Sequence, residues 1–494
     1  MPAANPQNLP EIFVPEDSRW ASRAAARGEI RRLARGLYST NLDEPAEQLV
    51  RRRWYDVAAL YFPGAVIVDR SAAAAGPAAD GSLFLDIGER PVNPRAISLP
   101  GLTLRPRNGP GPVDGDGHFA GLRTSSPART VLDNLRPSRA RSGVARTLRR
   151  TELEDRLDRL ARTRGDTALG ELRDEARAIA PALGAQEQFA QLDRLIGALL
   201  GTRDDELQTR AARARRAGLG YDGDRLALFE ALRAELASQA FADRAAPPDP
   251  ERLLAFFEAY FSNWIEGTIF EVDEATEIVF EGRIPAQRPA DAHDIQGTFA
   301  AISDRRLRAR PPRDPDELEA YLRDGHRMIM GGRPEAAPGQ YKERANRAGM
   351  TFFVHPDLVR GTLREGFSIG HTLPEGLPRA IFSMFLVAEV HPFSDGNGRV
   401  ARLLMNAELS AREQCRVMIP LSYRDEYLSA LRALSQNRNP TPLGRMVDRA
   451  QRWASLMQWS DQDRVLQLIE QTNALVTPDR AAAGNLHLTD ARPT

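Results

Sequence analysis

His391-Pro392-Phe393-Ser394-Asp395-Gly396-Asn397-Gly398-Arg399-Val400-Ala401-Arg402 gathers a base, an acid, a glycine-flanked amide run and two arginines in one short stretch. The glycines free the backbone to curl so that successive N–H groups point at one anion, and the apolar segment that follows predicts a helix whose N-terminus faces the same spot. Gly396, Asn397 and Gly398 therefore read as a phosphate cradle. Arg399 and Arg402 are three apart, so both guanidinium groups can reach a polyphosphate from one helix face. Asp395 adds a hard oxygen ligand suited to Mg²⁺ shared with phosphate oxygens. His391 has an unperturbed pKa of about 6.5 and can take a proton from an attacking hydroxyl near pH 7.

Working outward, Ile381, Met384, Phe385, Val387 and Val390 predict a buried helix over about 378–390 that delivers His391. Upstream, Gly339-Gln340-Tyr341-Lys342 and Met350-Thr351-Phe352-Phe353-Val354 flank a polar turn and predict a hairpin over 340–354. Farther upstream, Leu253, Leu254, Phe257, Tyr260, Phe261, Trp264 and Ile265 form a wide apolar helical stripe that ends in Ser262-Asn263-Trp264-Ile265-Glu266-Gly267. Ser262 and Glu266 share a face, and Gly267 suits a helix C-terminus.

The 494 residues predict two or three domains, so the chain reads as multidomain. Residues 1–142 predict a mixed α/β region: a short helix from Ser18 closed by Gly28, a basic hairpin around Ile30 to Tyr38, and strands at Ala65-Val66-Ile67-Val68, Ser82-Leu83-Phe84-Leu85 and Leu102-Thr103-Leu104. Leu148, Leu153, Leu157, Leu160, Leu192, Leu195, Leu199 and Leu200 predict a helical connector over 143–244, and Ala245-Ala246-Pro247-Pro248-Asp249-Pro250 marks a boundary. A mainly α domain is expected over 251–471, and a disordered tail over 477–494.

Formal net charge is zero, which argues against bulk nucleic acid as a partner of the whole chain. Residues 1–150 hold 22 arginines against 15 acids, a net of +7 that favours an anionic partner there. For Arg31, Arg32 and Arg35 a solvated hairpin face is weighed against nucleic-acid contact. The single Cys415 excludes an internal disulfide and a cysteine-built metal site, as expected of a cytoplasmic protein. No run of about 18 apolar residues and no signal-peptide pattern occurs, so no membrane span or export is expected.

The stretch HPFSDGNGRVAR resembles the signature of the Fic family, His-Pro-Phe-x-Asp/Glu-Gly-Asn-Gly-Arg-x-x-Arg, at every fixed position. The hairpin over 340–354 occupies the place of that family's flap, which in relatives holds a target segment by strand addition. Ser262-x-x-x-Glu266-Gly267 resembles the family's inhibitory helix motif, here over 252–267. The resemblance implies a protein adenylyltransferase that moves AMP from ATP to a Ser, Thr or Tyr hydroxyl of a target protein. In it His391 is the base, Asp395 holds Mg²⁺, Gly396, Asn397, Gly398, Arg399 and Arg402 bind the nucleotide, and Glu266 blocks Arg402 at rest.

Residues from about 15 to 160 resemble AbiEi-type antitoxins and transcriptional regulators at Leu33-Ala34-Arg35-Gly36-Leu37-Tyr38, Asp69-Arg70-Ser71-Ala72-Ala73 and Thr124-Ser125-Ser126-Pro127-Ala128-Arg129-Thr130-Val131-Leu132-Asp133. This implies a winged-helix-like region, here with a shortened helix-turn-helix, and DNA as a partner. Three alternatives stay open: another nucleotide donor, an enzyme that both adds and removes AMP, and a DNA-binding regulator whose Fic part senses nucleotide. Target, base preference and homo-oligomerisation are not fixed by the sequence.

Overall fold

The computed structural model describes residues 9–90, 94–139, 143–247, 251–349 and 351–490. The extreme N-terminal residues 1–8, positions 248–250 of the expected boundary, Met350 of the expected hairpin and 491–494 lie outside them. Contacts divide the chain into two compact units, Met1–Ala217 and Gly218–Thr494.

In the first unit, β1 (Ile12–Phe13), α1 (Ser18–Ala26), β2 (Arg31–Ala34) and β3 (Leu37–Ser39) form one helix over an antiparallel sheet of order β1-β3-β2. Asp17 starts α1 by accepting from the N–H groups of Arg19 and Trp20. Ahead of the β2–β3 hairpin, α1 is the one helix among the described residues, against the two that a full helix-turn-helix needs. Arg31 donates to the carbonyls of Asn41 and Glu44.

Then come α2 (Ala46–Arg52), α3 (Trp54–Tyr61), β4 (Val66–Ile67), α4 (Asp69–Ala74), β5 (Ser82–Asp86), β6 (Ile97–Leu99), β7 (Leu102–Arg107), β8 (Gly117–Phe119), β9 (Leu122–Thr124) and α5 (Pro127–Asn134). Their strands make a mixed sheet of order β6-β7-β5-β4-β9-β8, with β4–β9 and β5–β7 parallel. Part of the positive charge of this region is internal. Arg129 is fully buried and bound by Asp86, Asp116 and Asp133.

The expected connector is not one piece. α6 (Arg150–Arg164), α7 (Thr167–Leu183), α8 (Gln186–Leu199) and α9 (Arg210–Arg216) share a core with α5 through Leu132, Leu153, Leu169 and Leu195. α10 (Gly223–Ser238) instead buries Leu228, Phe229, Leu232 and Leu236 in the core of the second unit. Amphipathic spacing predicts that a helix has a buried face but not which core that face joins, and the division falls between α9 and α10.

The second unit continues with α11 (Glu251–Ile265), α12 (Val272–Thr276), α13 (Pro289–Ser303), α14 (Arg305–Ala309), α15 (Pro315–Ile329), β10 (Arg347–Ala348), β11 (Thr351–Phe352), α16 (Val359–Gly370), α17 (Leu377–Val390), α18 (Asn397–Ser410), α19 (Arg424–Asn437), α20 (Thr441–Ser455), α21 (Gln462–Gln471) and α22 (Pro478–Gly484). α17 is its centre. Ile381, Phe382, Met384, Phe385, Leu386 and Val387 are all buried there, each worth about 1.5–3 kcal/mol relative to exposure. The hairpin is shorter than expected, with paired strands of two residues each. The expected disordered tail is also corrected: α22 lies within it, and beyond it Leu488 is buried, its carbonyl accepting from Arg449.

Candidate active site

α17 ends at Val390, and His391 turns the chain with a left-handed backbone at φ +53°. That conformation costs an ordinary residue roughly 1–2 kcal/mol, so the surroundings must hold it. His391 Nδ1 lies 3.2 Å from the Ala388 carbonyl. A carbonyl only accepts, so the proton sits on Nδ1 and Nε2 keeps its lone pair. The ring stacks on Phe353 with centroids 3.7 Å apart and planes 4° from parallel. Burial holds the imidazole neutral, bringing its pKa down to about 4 despite the Ala388 carbonyl and the carboxylates of Glu266 and Asp395.

The loop from His391 to α18 is fastened from within. Phe393 N–H donates to Asn397 Oδ1 at 2.8 Å, and Asn397 Nδ2 returns to the Phe393 carbonyl at 2.9 Å. Phe393 is fully buried and stacks face to face on His326 at 3.8 Å. His326 accepts from Gly339 N–H at Nδ1, so its Nε2–H donates to the Asp395 carbonyl at 3.0 Å. Burial keeps this second imidazole neutral as well, with a pKa of about 4. His326 is thus a scaffold residue under the loop.

Gly396 has φ +74° and starts α18, whose first N–H groups lack intrahelical acceptors. The N–H groups of Asn397 and Gly398 stand at this helix start, the place where the sequence leads one to expect a phosphate cradle, while the Gly396 N–H is taken by Asp395. Asp395 stands at its edge with a side chain 59% exposed. Oδ1 takes the Gly396 N–H at 2.6 Å, and the exposed carboxylate faces solvent, where a cation can reach it. Among the described residues no three His, Cys, Asp or Glu side chains cluster as metal ligands. A single hard carboxylate beside a phosphate cradle nevertheless fits Mg²⁺, which completes its shell with substrate oxygens and water.

The two arginines differ in their surroundings. Arg399 is 3% exposed and turned inward: Nη1 meets Asp294 Oδ2 at 2.9 Å and Asn263 Oδ1 at 3.3 Å. Asp294 is buried too and also binds Arg333. Arg402 meets the end of α11. Its Nε donates to Ser262 Oγ at 3.0 Å, and its Nη2 donates to the Ser262 carbonyl at 2.9 Å and to Glu266 Oε1 at 2.7 Å. Glu266 lies just past that helix, followed by Gly267 at φ +91°. Burial pushes the Glu266 carboxyl up, but Arg402 outweighs it and holds the group below the usual range. A Cβ on residue 398 would overlap Glu266 Oε1, so glycine there is a condition of this contact.

Glu266, His391, Gly398 and Arg402 share one cavity of about 570 Å³, continued by the apolar side chains of Phe385, Leu428 and Leu431. It has a polar end with a base and a cation, and an apolar end able to take a planar ring. Sequence reading missed Asn263, Asp294, Arg333 and Asn346 as supports of this site. Asn263 had a signal, since it sits inside the Ser262 to Gly267 motif; the others come from distant elements and carry none.

The chain matches the Fic/DOC family model over residues 316–409. It is 27% identical over 183 residues to a protein named protein adenylyltransferase fic-1 of Caenorhabditis elegans, covering 36% of each chain. It is 33% identical over 100 residues to a Fido domain-containing protein of Dictyostelium discoideum, covering 19% of this chain and 69% of that one. A solved structure of residues 134–508 of C. elegans Fic-1 aligns with 65% of this chain and 97% of its own, at 18% identity and TM-score 0.35. The chain thus spans about a third of the length of the Caenorhabditis fic-1 proteins it matches. With the family model laid over α15 to α18, and a relative matched over two thirds of its length, this chain belongs to the Fic/DOC family.

Proposed function

We propose that this chain is a self-inhibited protein adenylyltransferase, which transfers AMP from ATP to a hydroxyl side chain of a target protein. The observation that carries the reading is the pair of opposed devices in one cavity: a neutral His391 with Nε2 free, and an Arg402 held by Glu266. The family membership and the likeness to proteins named adenylyltransferase support it.

In the reaction the target hydroxyl attacks the α-phosphorus. A new O–P bond forms as the bond to the β-phosphate oxygen breaks, and pyrophosphate leaves with the electron pair. His391 Nε2 takes the hydroxyl proton, a contribution of about 10²–10⁴-fold. Amides at the start of α18 stabilise charge on the phosphate oxygens. Asp395 would hold Mg²⁺, which when bound neutralises phosphate charge. The short hairpin of β10 and β11 beside His391 would receive an extended target segment by strand addition. Arg402, once freed, would secure the terminal phosphates, while Glu266 occupies that guanidinium at rest.

The test is the purified Glu266→Gly chain incubated with cell lysate and α-labelled ATP, beside the parent and the Glu266→Gly/His391→Ala double variant. Label on protein should rise above the parent and vanish without His391, and mass spectrometry should find AMP on a hydroxyl residue. No gain of label in Glu266→Gly overturns self-inhibition. No AMP adduct in any form overturns the transferase reading.

A further inference from the structure

Lys342 is the one lysine among 67 basic residues of this chain. A composition that places arginine at every other basic position makes the surviving primary amine informative about its site. The side chain is buried, at 6% exposure, in the segment that leads to the hairpin.

Its contacts converge on the peptides around His391. Lys342 N–H donates to the Pro392 carbonyl at 2.9 Å, and Nζ donates to the Val390 carbonyl at 3.4 Å and to Asn346 Oδ1 at 2.7 Å. Asn346 Nδ2 in turn donates to the Phe393 carbonyl at 3.0 Å. The carbonyls of residues 390, 392 and 393 are thus each fastened from this short segment, with His391 between them. The same segment reaches the other face of the imidazole: the Asn346 carbonyl accepts from Phe353 N–H, and the Phe353 ring stacks on His391. An ammonium also suits the negative end of α17, where the last carbonyls lack intrahelical donors. Arginine would bring a wider planar fork with five donors to a place offering two acceptors.

We propose that Lys342 is a positioning residue for His391: together with Asn346 it fastens the carbonyls flanking the base and ties its loop to the hairpin that supplies Phe353. The proposal rests on the transferase reading for its catalytic consequence and on geometry for its structural one. Electrostatics point the same way. Glu266 from beyond α11 and Asp395 from the loop favour the protonated imidazole, while burial and Lys342 oppose it. Lys342 is itself lowered to about 7 by burial and by Arg225 of α10, so it is fully charged throughout the acidic range where His391 titrates.

The test uses the full chain with Glu266→Gly as parent, compared with Lys342→Met, Lys342→Arg and Asn346→Ala in that background. Selective ¹³C-histidine labelling gives the His391 titration by NMR, the resonance identified by its loss in His391→Ala. In Lys342→Met the His391 pKa should rise by roughly one unit, since a nearby positive charge is gone. Transfer should fall about 10–100-fold in kcat from lost orientation, while KM for ATP stays within about threefold. Lys342→Arg should keep the low pKa and still lose rate, and Asn346→Ala should lose rate with a smaller change in pKa. An unchanged His391 titration and kcat in Lys342→Met overturns the proposal, as does a lower melting temperature with that titration unmoved. If the parent transfers no AMP, the transferase reading fails, and the NMR arm alone then decides whether Lys342 positions the imidazole.

Discussion

Replacing Gly398 by alanine should open the Glu266–Arg402 contact without removing either partner. The new Cβ would overlap Glu266 Oε1 and stand 2.9 Å from its Cδ and 3.0 Å from Arg402 Nη1. Both obstacles are far ends of flexible side chains, and Gly398 lies within α18 at a helical φ, so the carboxylate is what gives way. Losing a charge-assisted hydrogen bond in a sheltered site costs about 1.5–3 kcal/mol. Alanine in place of glycine inside a helix returns about 1 kcal/mol. The parent should therefore be destabilised by about 0.5–2 kcal/mol, whereas in Glu266→Gly the same substitution should stabilise by about 1 kcal/mol. The difference between backgrounds, about 1.5–3 kcal/mol, is the coupling that a double-mutant cycle reads. In thermal melts followed by tryptophan fluorescence it should appear as a gap of roughly 3–6 °C between the two Gly398→Ala shifts. Three of the five tryptophans, Trp264, Trp453 and Trp459, lie in the second unit and are buried, so they report on it. Equal shifts in both backgrounds would refute the steric reading of Gly398.

Two further outcomes follow from the same structure. With His391 at about 4, transfer by Glu266→Gly should show no loss as pH falls from about 7 to about 5 and should drop below that as Nε2 takes a proton. A decline already beginning near pH 7 would mean the imidazole is not held neutral by burial. In the first unit, Arg129→Leu removes the fully buried cation between Asp86, Asp116 and Asp133, with Arg107 still beside Asp86 and Asp133, at a cost of about 3–5 kcal/mol. Limited proteolysis should then cut within residues 1–217 first, and an unchanged digestion pattern would contradict that.

The part of the site carried by one contiguous stretch was legible because its chemistry is local. His391, Asp395, Gly396 and Arg402 stand within one loop and one helix turn or two, and glycine and arginine at those spacings have few other uses. Ser262 and Glu266 were legible for the same reason, as a helix end with a polar face. Asp294, Arg333 and Asn346 were not, because a buried ion pair or a carbonyl clamp is formed between elements far apart in sequence, and an isolated Asp or Asn carries no mark of its partner. Where the connector divides was not legible on a related ground. Leu228, Leu232 and Leu236 recur at helical spacing, as do Leu192, Leu195 and Leu199, and periodicity names a buried face without naming what covers it. The expected long hairpin also gave way to tertiary contacts: Lys342 N–H bonds to Pro392 rather than to a partner strand, and the described pairing is short, Arg347–Ala348 with Thr351–Phe352 and one further bond from Phe353 N–H to the Asn346 carbonyl.

Arg399 and Arg402 show how far spacing alone misleads. Three residues apart on one helix, they look interchangeable as phosphate ligands. Their partners make them different. Arg399 is neutralised by Asp294, a buried carboxylate that also binds Arg333, and breaking that set would strand a charge away from water. Arg402 is neutralised by Glu266, whose side chain is 29% exposed and sits past the end of α11. Of the two, only Arg402 can exchange a protein carboxylate for a phosphate without leaving a buried anion behind. On the proposed self-inhibited reading, control of the site would rest with Arg402, and Arg399 would hold the first turn of α18 in place.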